Sequence, residues 1–419
     1  MKRRAVAAGL CTTAVIAMSA VAPGSASAGS VSAAGASARG ADALKVVSAT
    51  ELAPLVQNSH VAGRDNGQSV GYQGRSVWIF DDTTMQNPDG FISNSGAVTN
   101  DLNGSDGIDV TSDNPFTIHP GGTPQEIIPR TAAETAFEAT HARSTGCTAQ
   151  TDPLCGSQFA AWPGPVVADP ARHRILFTYG KLCRGSDPGT PCASDFVGQP
   201  LGMGVLALDM RTHAETRLTV PASQKPLDSV EGPDPTLLFT PAQAFGGGGA
   251  MVINGMFYGY GNCVNIRCAV GRVPVAHLMD RSQWRYYTGE ANGAPQWSAD
   301  DTKATLVMDG GAAGESVAWN PAMHAYLDIF MDGITSNAVY ETAPTPWGPW
   351  TAKQPMFTGA PPASLWDYAC FAHPEYQQKG GLVQYLTYFH PGDSQLYLEK
   401  VTFSGGPAYR NALVPRSGG

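Results

Sequence analysis

Asp65 and Asp82 lie at the two ends of a stretch, Gly63 to Thr83, that reads as a β-hairpin. Gln73-Gly74 is a two-residue turn signal, and Val77-Trp78-Ile79-Phe80 is the β-branched and aromatic run of a strand. Counting outward from Tyr72 opposite Arg75 sets Asp65 opposite Asp82. Like charges facing each other across an antiparallel ladder are destabilising, so a purely structural hairpin should avoid this pairing. Sites that break a local rule are where chemistry is expected. Two close carboxyl groups are the equipment of glycosidic cleavage. One protonates the leaving oxygen while the other activates water or attacks the anomeric carbon. Proximity also separates their proton affinities, so that one acid stays protonated near neutral pH. The structural alternative is that both are strand-end residues accepting backbone N–H bonds.

Around this pair stand weaker candidates. Strict alternation turns Asp81 to the opposite strand face from Asp82, which makes it a structural or supporting residue. Glu315 begins a strand in Glu315-Ser-Val-Ala-Trp319 and is a candidate third carboxylate, against the alternative of a solvated strand end. His373, in Phe371-Ala-His-Pro-Glu375, is a candidate partner for substrate or carboxylate, although a lone histidine is more often structural. Trp162, Trp319, Trp347 and Trp350 offer flat faces for stacking on sugar rings, while most tryptophans in such a chain belong to the core. Gly246 to Gly249 lacks the Lys-Ser/Thr of a phosphate cradle. The acidic run Asp101 to Asp109 misses the calcium-loop register and reads as a solvated loop. Serine-hydrolase and zinc-protease motifs are missing, and no cofactor or metal is expected.

The elements that must position these residues are strands. Gly (48) and Pro (32) are abundant and only 15% of residues are charged, which suits short strands and turns over long helices. Five aromatic-rich strands recur at Val77–Phe80, Ile175–Tyr179, Met256–Tyr260, Tyr326–Met331 and Val383–Phe389. Each follows a shorter segment and a turn. Further strands are expected at Met203–Asp209, Val270–Leu278, Ala338–Thr342 and Leu396–Phe403. Five antiparallel units suggest an all-β, five-bladed β-propeller with long decorating loops, with a β-sandwich as the alternative. The single helical signal is Ala132 to His141. In a propeller the start of a blade's first strand and the end of its second share one face, which brings Asp65 and Asp82 to one channel mouth. Glu315 and His373 are placed at the corresponding starts of blades four and five.

Lys2-Arg3-Arg4, the apolar run Ala5 to Val21 and Ala26-Ser27-Ala28 form a secretory signal over residues 1–28, followed by an Ala/Ser/Gly linker over 29–47. The propeller is assigned to 48–405 and a flexible tail to 406–419. Cleavage leaves 23 basic against 35 acidic residues, a net charge of −12. That charge argues against nucleic acid or an anionic membrane as partner. A secreted monomer without a membrane anchor is expected. In an exported chain Cys147/Cys155, Cys183/Cys192 and Cys263/Cys268 read as local disulfides, leaving Cys370 free.

The assembled motifs resemble a bacterial family of endo-D-arabinanases, glycoside hydrolase family 183, formerly labelled a domain of unknown function. The likeness rests on Gly63-Arg64-Asp65 with Ser69, Trp78-x-Phe80-x-Asp82-Thr83 and Asn94-Ser95. Further along it rests on Glu315-Ser-Val-x-Trp319-Asn320, Ala343-Pro-x-x-Trp347-Gly-Pro-Trp350 and His373-Pro-Glu375. It spans roughly Leu55 to Phe403. The resemblance implies a five-bladed propeller that hydrolyses D-arabinofuranosyl linkages in mycobacterial-type arabinogalactan or lipoarabinomannan, with catalytic aspartates at Asp65 and Asp82. Arg64 and Asn94, inside the matching motifs, join Glu315 and His373 as expected substrate-binding residues. One position departs: Asp81 stands where the family has Gly. The competing readings are a non-catalytic carbohydrate-binding propeller and a glycosidase acting on another furanose or pentose polymer.

Overall fold

The computed structural model describes residues 44–111, 117–142, 148, 152, 154–185, 192, 197–407 and 409–416. The expected signal segment, most of the linker and Cys147 lie outside these residues. The chain forms a five-bladed β-propeller. Blade one is built on Val61–Tyr72 and Arg75–Met85, with Gly90–Ile92 and Ser95–Thr99 outside them. Blade two runs Ser157–Asp169, Arg174–Gly185 and Gln199–Asp209, with Glu215–Arg217 and Leu237–Phe239 on its edge. Blade three runs Ala250–Ile253, Met256–Val264 and Arg267–Pro274, extended by Arg285–Ala291 and Ala294–Ser298. Blade four is Glu315–Asn320, Ala325–Met331, Asn337–Ala343 and Gln354–Thr358. Blade five is Tyr368–Ala372, Val383–His390 and Gln395–Ser404, with Lys45–Glu51 as its outer strand.

The first strands of successive blades touch one another around a closed ring, with Tyr368–Ala372 returning to Val61–Tyr72. Lys45–Glu51 pairs with the last strand of the propeller, from Lys45 opposite Ser404 to Glu51 opposite Glu399. The two ends of the fold are thereby tied within one sheet. The expected linker therefore ends earlier than residue 47, because Lys45, Val46 and Val47 are already strand. At the other end, Tyr326 donates its hydroxyl to the Leu413 carbonyl at 2.6 Å and the Leu413 amide donates to the Pro344 carbonyl at 2.9 Å. Residues around Leu413 are laid on blade four instead of trailing free as expected.

Strand alternation explains how the ring holds. In Arg75–Met85, Val77 and Ile79 pack with Phe177 and Leu206 of blade two, while Trp78 and Phe80 pack with Tyr385 and Leu398 of blade five. The remaining three seams have clusters of the same kind, around Trp284 and Phe257, around Tyr260 and Met308, and around Ile329 and Leu386. Each fully buried large side chain in such a seam contributes about 1.5–3 kcal/mol. The expected helix is present as Ala132–Thr140, started by Thr131 in a reciprocal capping box with Glu134. Disulfides join Cys183 to Cys192 and Cys263 to Cys268, and Cys370 is free and buried.

The blade-one hairpin has the expected turn. Gln73 and Gly74 both take positive φ, 49° and 77°, the two-residue geometry that matches strand twist. Register then shifts twice before Arg64, and a third time between Gly63 and Val61. Gln68 pairs with Ile79 and Asn66 with Phe80, leaving Gly67 as an extra residue; Arg64 pairs with Thr83, leaving Asp65 facing both Asp81 and Asp82. Asn66 and Gly67 stand at φ 68° and 78°, and a Cβ on Gly67 would come within 2.8 Å of Leu396 Cδ1. Gly67→Val should therefore lower the unfolding free energy by about 1–3 kcal/mol in urea titration. A neutral effect there would show that the bulge is not held by this backbone.

Candidate functional site

The two opposed bulges decide which way the acidic side chains face. Without them Asp82 would share the blade-five face of Trp78 and Phe80. The extra residue reverses this parity. Asp82 meets Arg184, from the second strand of blade two, through two parallel hydrogen bonds of 2.8 Å, Nη1 to Oδ2 and Nη2 to Oδ1. Such a fork-on-fork pair is the strong form of a charge-assisted bond. Asp65 is held from the other side, where Tyr368 donates its hydroxyl to Oδ2 at 2.7 Å. Tyr368 opens the first strand of blade five, and a bulge with Ala369 at φ 54° separates it from the regular pairing at Phe371.

Asp81 does not turn away as strict alternation required. Asn66 donates from Nδ2 to Asp81 Oδ1 at 2.9 Å and to the Pro163 carbonyl of blade two at 2.6 Å, and Gln68 supports Asn66 Oδ1 at 3.1 Å. All three aspartates remain partly exposed. Their proton affinities reflect the crowding. Burial, and next the charge of Asp82, push Asp65 up to about 7 against the opposing pull of the Tyr368 hydroxyl and Arg184. Burial followed by the charges of Asp65 and Asp82 holds Asp81 well above the ordinary carboxylate range. Among the described residues Asp65 Oδ1 meets no hydrogen-bond donor, which penalises its charged form further. One acid tied to a guanidinium beside another that keeps its proton near neutrality is the asymmetry that acid–base catalysis needs.

The expected substrate-binding residues are placed elsewhere. Arg64 is buried, donating to Gln57 Oε1 at 2.6 Å and Ser95 Oγ at 3.3 Å with its guanidinium 3.5 Å over the Phe80 ring; burial brings it down to about 9. Asn94 is buried, and its Oδ1 accepts from the amides of Ile127 and Ile128 at 2.9 and 3.0 Å, which makes it a loop clamp. His373 follows the first strand of blade five instead of starting it. It is fully buried, with Nδ1 on Ser69 Oγ at 2.6 Å and Nε2 on Thr387 Oγ1 at 2.9 Å, its ring 4.3 Å from Trp78. Burial pushes its imidazole down to about 3; Nδ1 joins blade five to blade one, and Nε2 is held within blade five. Arg184 and Tyr368 were missed. Tyr368 sat only five residues from His373, at a strand start that the aromatic pattern Tyr-Ala-Cys-Phe could have marked.

Glu315 does open blade four, but it is buried against Gly248 and Gly249 with its Oε2 accepting from the Gly311 amide at 3.3 Å. Next to it, Asp328 is fully buried with neither oxygen hydrogen-bonded, and Glu341 stands directly opposite Asp328 on the next strand. A further acidic trio, Glu134, Glu231 and Asp234, has the spacing of a cation site. Its centre is filled by the Lys181 ammonium, which donates to Glu134 and Asp234 at 2.7 Å and also to Glu231.

Residues 242–403 match the family described as a Domain of unknown function (DUF4185). The match covers blades three to five and stops short of the hairpin that carries the aspartates. No curated protein matches the chain. Among solved structures, a Bacteroides ovatus protein provisionally described as a hydrolase superposes with a TM-score of 0.50 at 16% identity, over 82% of this chain and 86% of that one. The GH43_1 enzyme of Xanthomonas citri complexed with xylotriose gives 0.40 at 14% identity, over 88% and 96%. The catalytic domain of the Coprinopsis cinerea GH62 α-L-arabinofuranosidase gives 0.42 at 11%, over 85% and 96%. The first of these likenesses concerns the fold alone; the other two add nothing to it.

The blade-four acids have a measurable consequence. Burial, followed by the charge of Asp309, raises Glu341 from 4.5 to about 8, and burial raises Glu315 to about 7. A raised folded-state value means stability that is complete below the ordinary carboxylate range and is lost as pH rises through the folded value. Melting temperature should therefore fall between about pH 5 and about pH 9, and Glu341→Gln should flatten the upper part of that fall. An unchanged slope in the variant would remove Glu341 as its cause.

Proposed function

We propose that this protein is a secreted glycoside hydrolase whose cleavage centre is Asp65 and Asp82, acting on D-arabinofuranosyl polymers of the arabinogalactan and lipoarabinomannan type. The observation that carries the reading is the unequal pair across the bulged hairpin: Asp82 held by both nitrogens of Arg184, and Asp65 pushed up to about 7. Asp65 acts as the acid that gives its proton to the departing glycosidic oxygen. Asp82 supplies the negative charge that an oxocarbenium-like transition state requires at the anomeric carbon. Burial and the charge of Asp82 keep the proton on Asp65 until the leaving oxygen demands it, and Asp81 stands beside both on the Asn66 amide.

The substrate class rests on the resemblance of the Gly63-Arg64-Asp65 and Trp78-to-Thr83 motifs to the endo-D-arabinanases. Export is supported by the basic, apolar and Ala-x-Ala pattern of residues 1–28 and by the two disulfides. Among the described residues no helix is long and apolar enough to cross a membrane.

Incubation with purified arabinogalactan should release arabino-oligosaccharides. Asp65→Asn and Asp82→Asn should each cut the rate by about a hundredfold or more while the melting curve stays cooperative. The rate should decline as pH rises through about 7, where Asp65 loses its proton. Saturable binding without products would replace this reading with a carbohydrate-binding propeller, and full activity in both variants would remove the two aspartates from the chemistry.

A further inference from the structure

Of the eight tryptophans, six are core or pack against a core seam: Trp78, Trp284, Trp297, Trp319, Trp347 and Trp350. Trp162 and Trp366 belong to none of these seams, and both are partly exposed. Trp162 is tied to the aspartates by geometry. It lies on the innermost strand of blade two, one residue before the Pro163 carbonyl that receives the Asn66 amide. Its ring centroid is 5.9 Å from the Arg184 guanidinium carbon, and the ring of Phe91, also partly exposed, is 5.2 Å from the same atom. Its indole edge is turned inward, with Nε1 shielded from solvent, so the part of the side chain left exposed is ring.

We propose that Trp162 and Phe91, whose rings both approach the guanidinium of the Arg184–Asp82 pair, form a sugar-stacking platform for the residue of the glycan next to the cleaved bond. This rests on the hydrolytic reading for its position relative to the chemistry, but not for its existence. Pyranose and furanose rings present C–H faces that pack on an aromatic plane. Arg184 fixes the height of the platform against Asp82, because the same guanidinium faces both. A sugar stacked there has its anomeric carbon positioned by a rigid inner strand and not by a loop.

The test compares wild type, Trp162→Ala, Trp162→Phe and Trp297→Ala, the last an aromatic held under Arg272 at 3.8 Å in blade three. Binding of short D-arabinofuranosyl oligosaccharides is measured calorimetrically in each variant on an Asp65→Asn background, and KM and kcat are measured in the active forms. Trp162→Ala should weaken binding and raise KM by about tenfold, with kcat changed far less. Trp162→Phe should recover part of the loss, and Trp297→Ala should change neither. Unaltered binding in a folded Trp162→Ala protein overturns the platform, whatever the activity. Oligosaccharide binding that depends on Trp162 without release of products keeps the platform and removes the hydrolase. Absence of both binding and products removes both.

Discussion

Arg184 gripping both oxygens of Asp82 is the contact on which the rim of this propeller depends. It crosses from the second strand of blade two to the second strand of blade one, so it joins neighbouring blades and sets charge at one point. Three carboxyl groups are gathered there, and among the described residues one guanidinium hydrogen-bonds to them. Asp82 takes the cation; Asp65 and Asp81, which lack it, are raised toward the protonated form by burial and mutual repulsion. The functional asymmetry of the site is a consequence of this shortage of positive charge.

The backbone makes that crowding possible. Two register shifts cancel between Gln68 and Arg64, so Gly63 and Arg64 regain the register set at the turn while the residues between change faces, and a third shift follows before Val61. Left-handed residues sit on both flanks, Asn66 and Gly67 beside Asp65 and Ala369 beside Tyr368. Such conformations cost of order 1–3 kcal/mol each for non-glycine residues and persist where the surroundings over-determine them. The surroundings here are the aromatic seams: Trp78 and Phe80 lock one face of the hairpin and Val77 and Ile79 the other, immediately before the chain departs from regular pairing. Closure by Lys45–Glu51 keeps blade five, and with it Tyr368, in register with blade one.

The sequence carried the fold well and the site only in part. Turn chemistry at Gln73-Gly74, alternation at Val77 to Phe80 and five repeats of an aromatic strand are local signals, and each corresponds to an element of the propeller. Asp65 and Asp82 were legible because simple counting still pairs them after the two shifts cancel. Asp81 was misplaced for the same reason: counting sees the sum of the shifts and not the residue they displace. Tyr368 and Arg184 act across blade boundaries, where no spacing rule connects residue 65 to residue 368 or residue 82 to residue 184. Arg64, Asn94 and His373 carry polar side chains in distinctive motifs, but their hydrogen bonds all end on the protein itself. A motif residue that clamps a loop or joins two blades looks, in one sequence, the same as one that binds a ligand.

Three groups of buried acids in this one fold separate structure from chemistry by how much positive charge each receives. Glu134, Glu231 and Asp234 surround Lys181, with Arg217 donating to Glu134 at 2.6 Å, and the result is a neutralised clamp that fastens the Ala132–Thr140 helix to blade two. Glu315, Asp328 and Glu341 have no hydrogen-bonded cation among the described residues; burial drives all three toward the protonated form, and they lie in a closed seam away from solvent. Full pairing leaves nothing to exchange, and burial behind a packed wall leaves nothing that a substrate can reach. Asp65, Asp81 and Asp82 fall between these limits. They have one guanidinium among them, on Asp82, remain partly exposed, and include Asp65, pushed up to about 7, where solvent pH can move its proton. Incomplete compensation at an open rim is the condition under which a carboxyl group can give up a proton and take it back, and of the three groups the blade-one hairpin alone meets it.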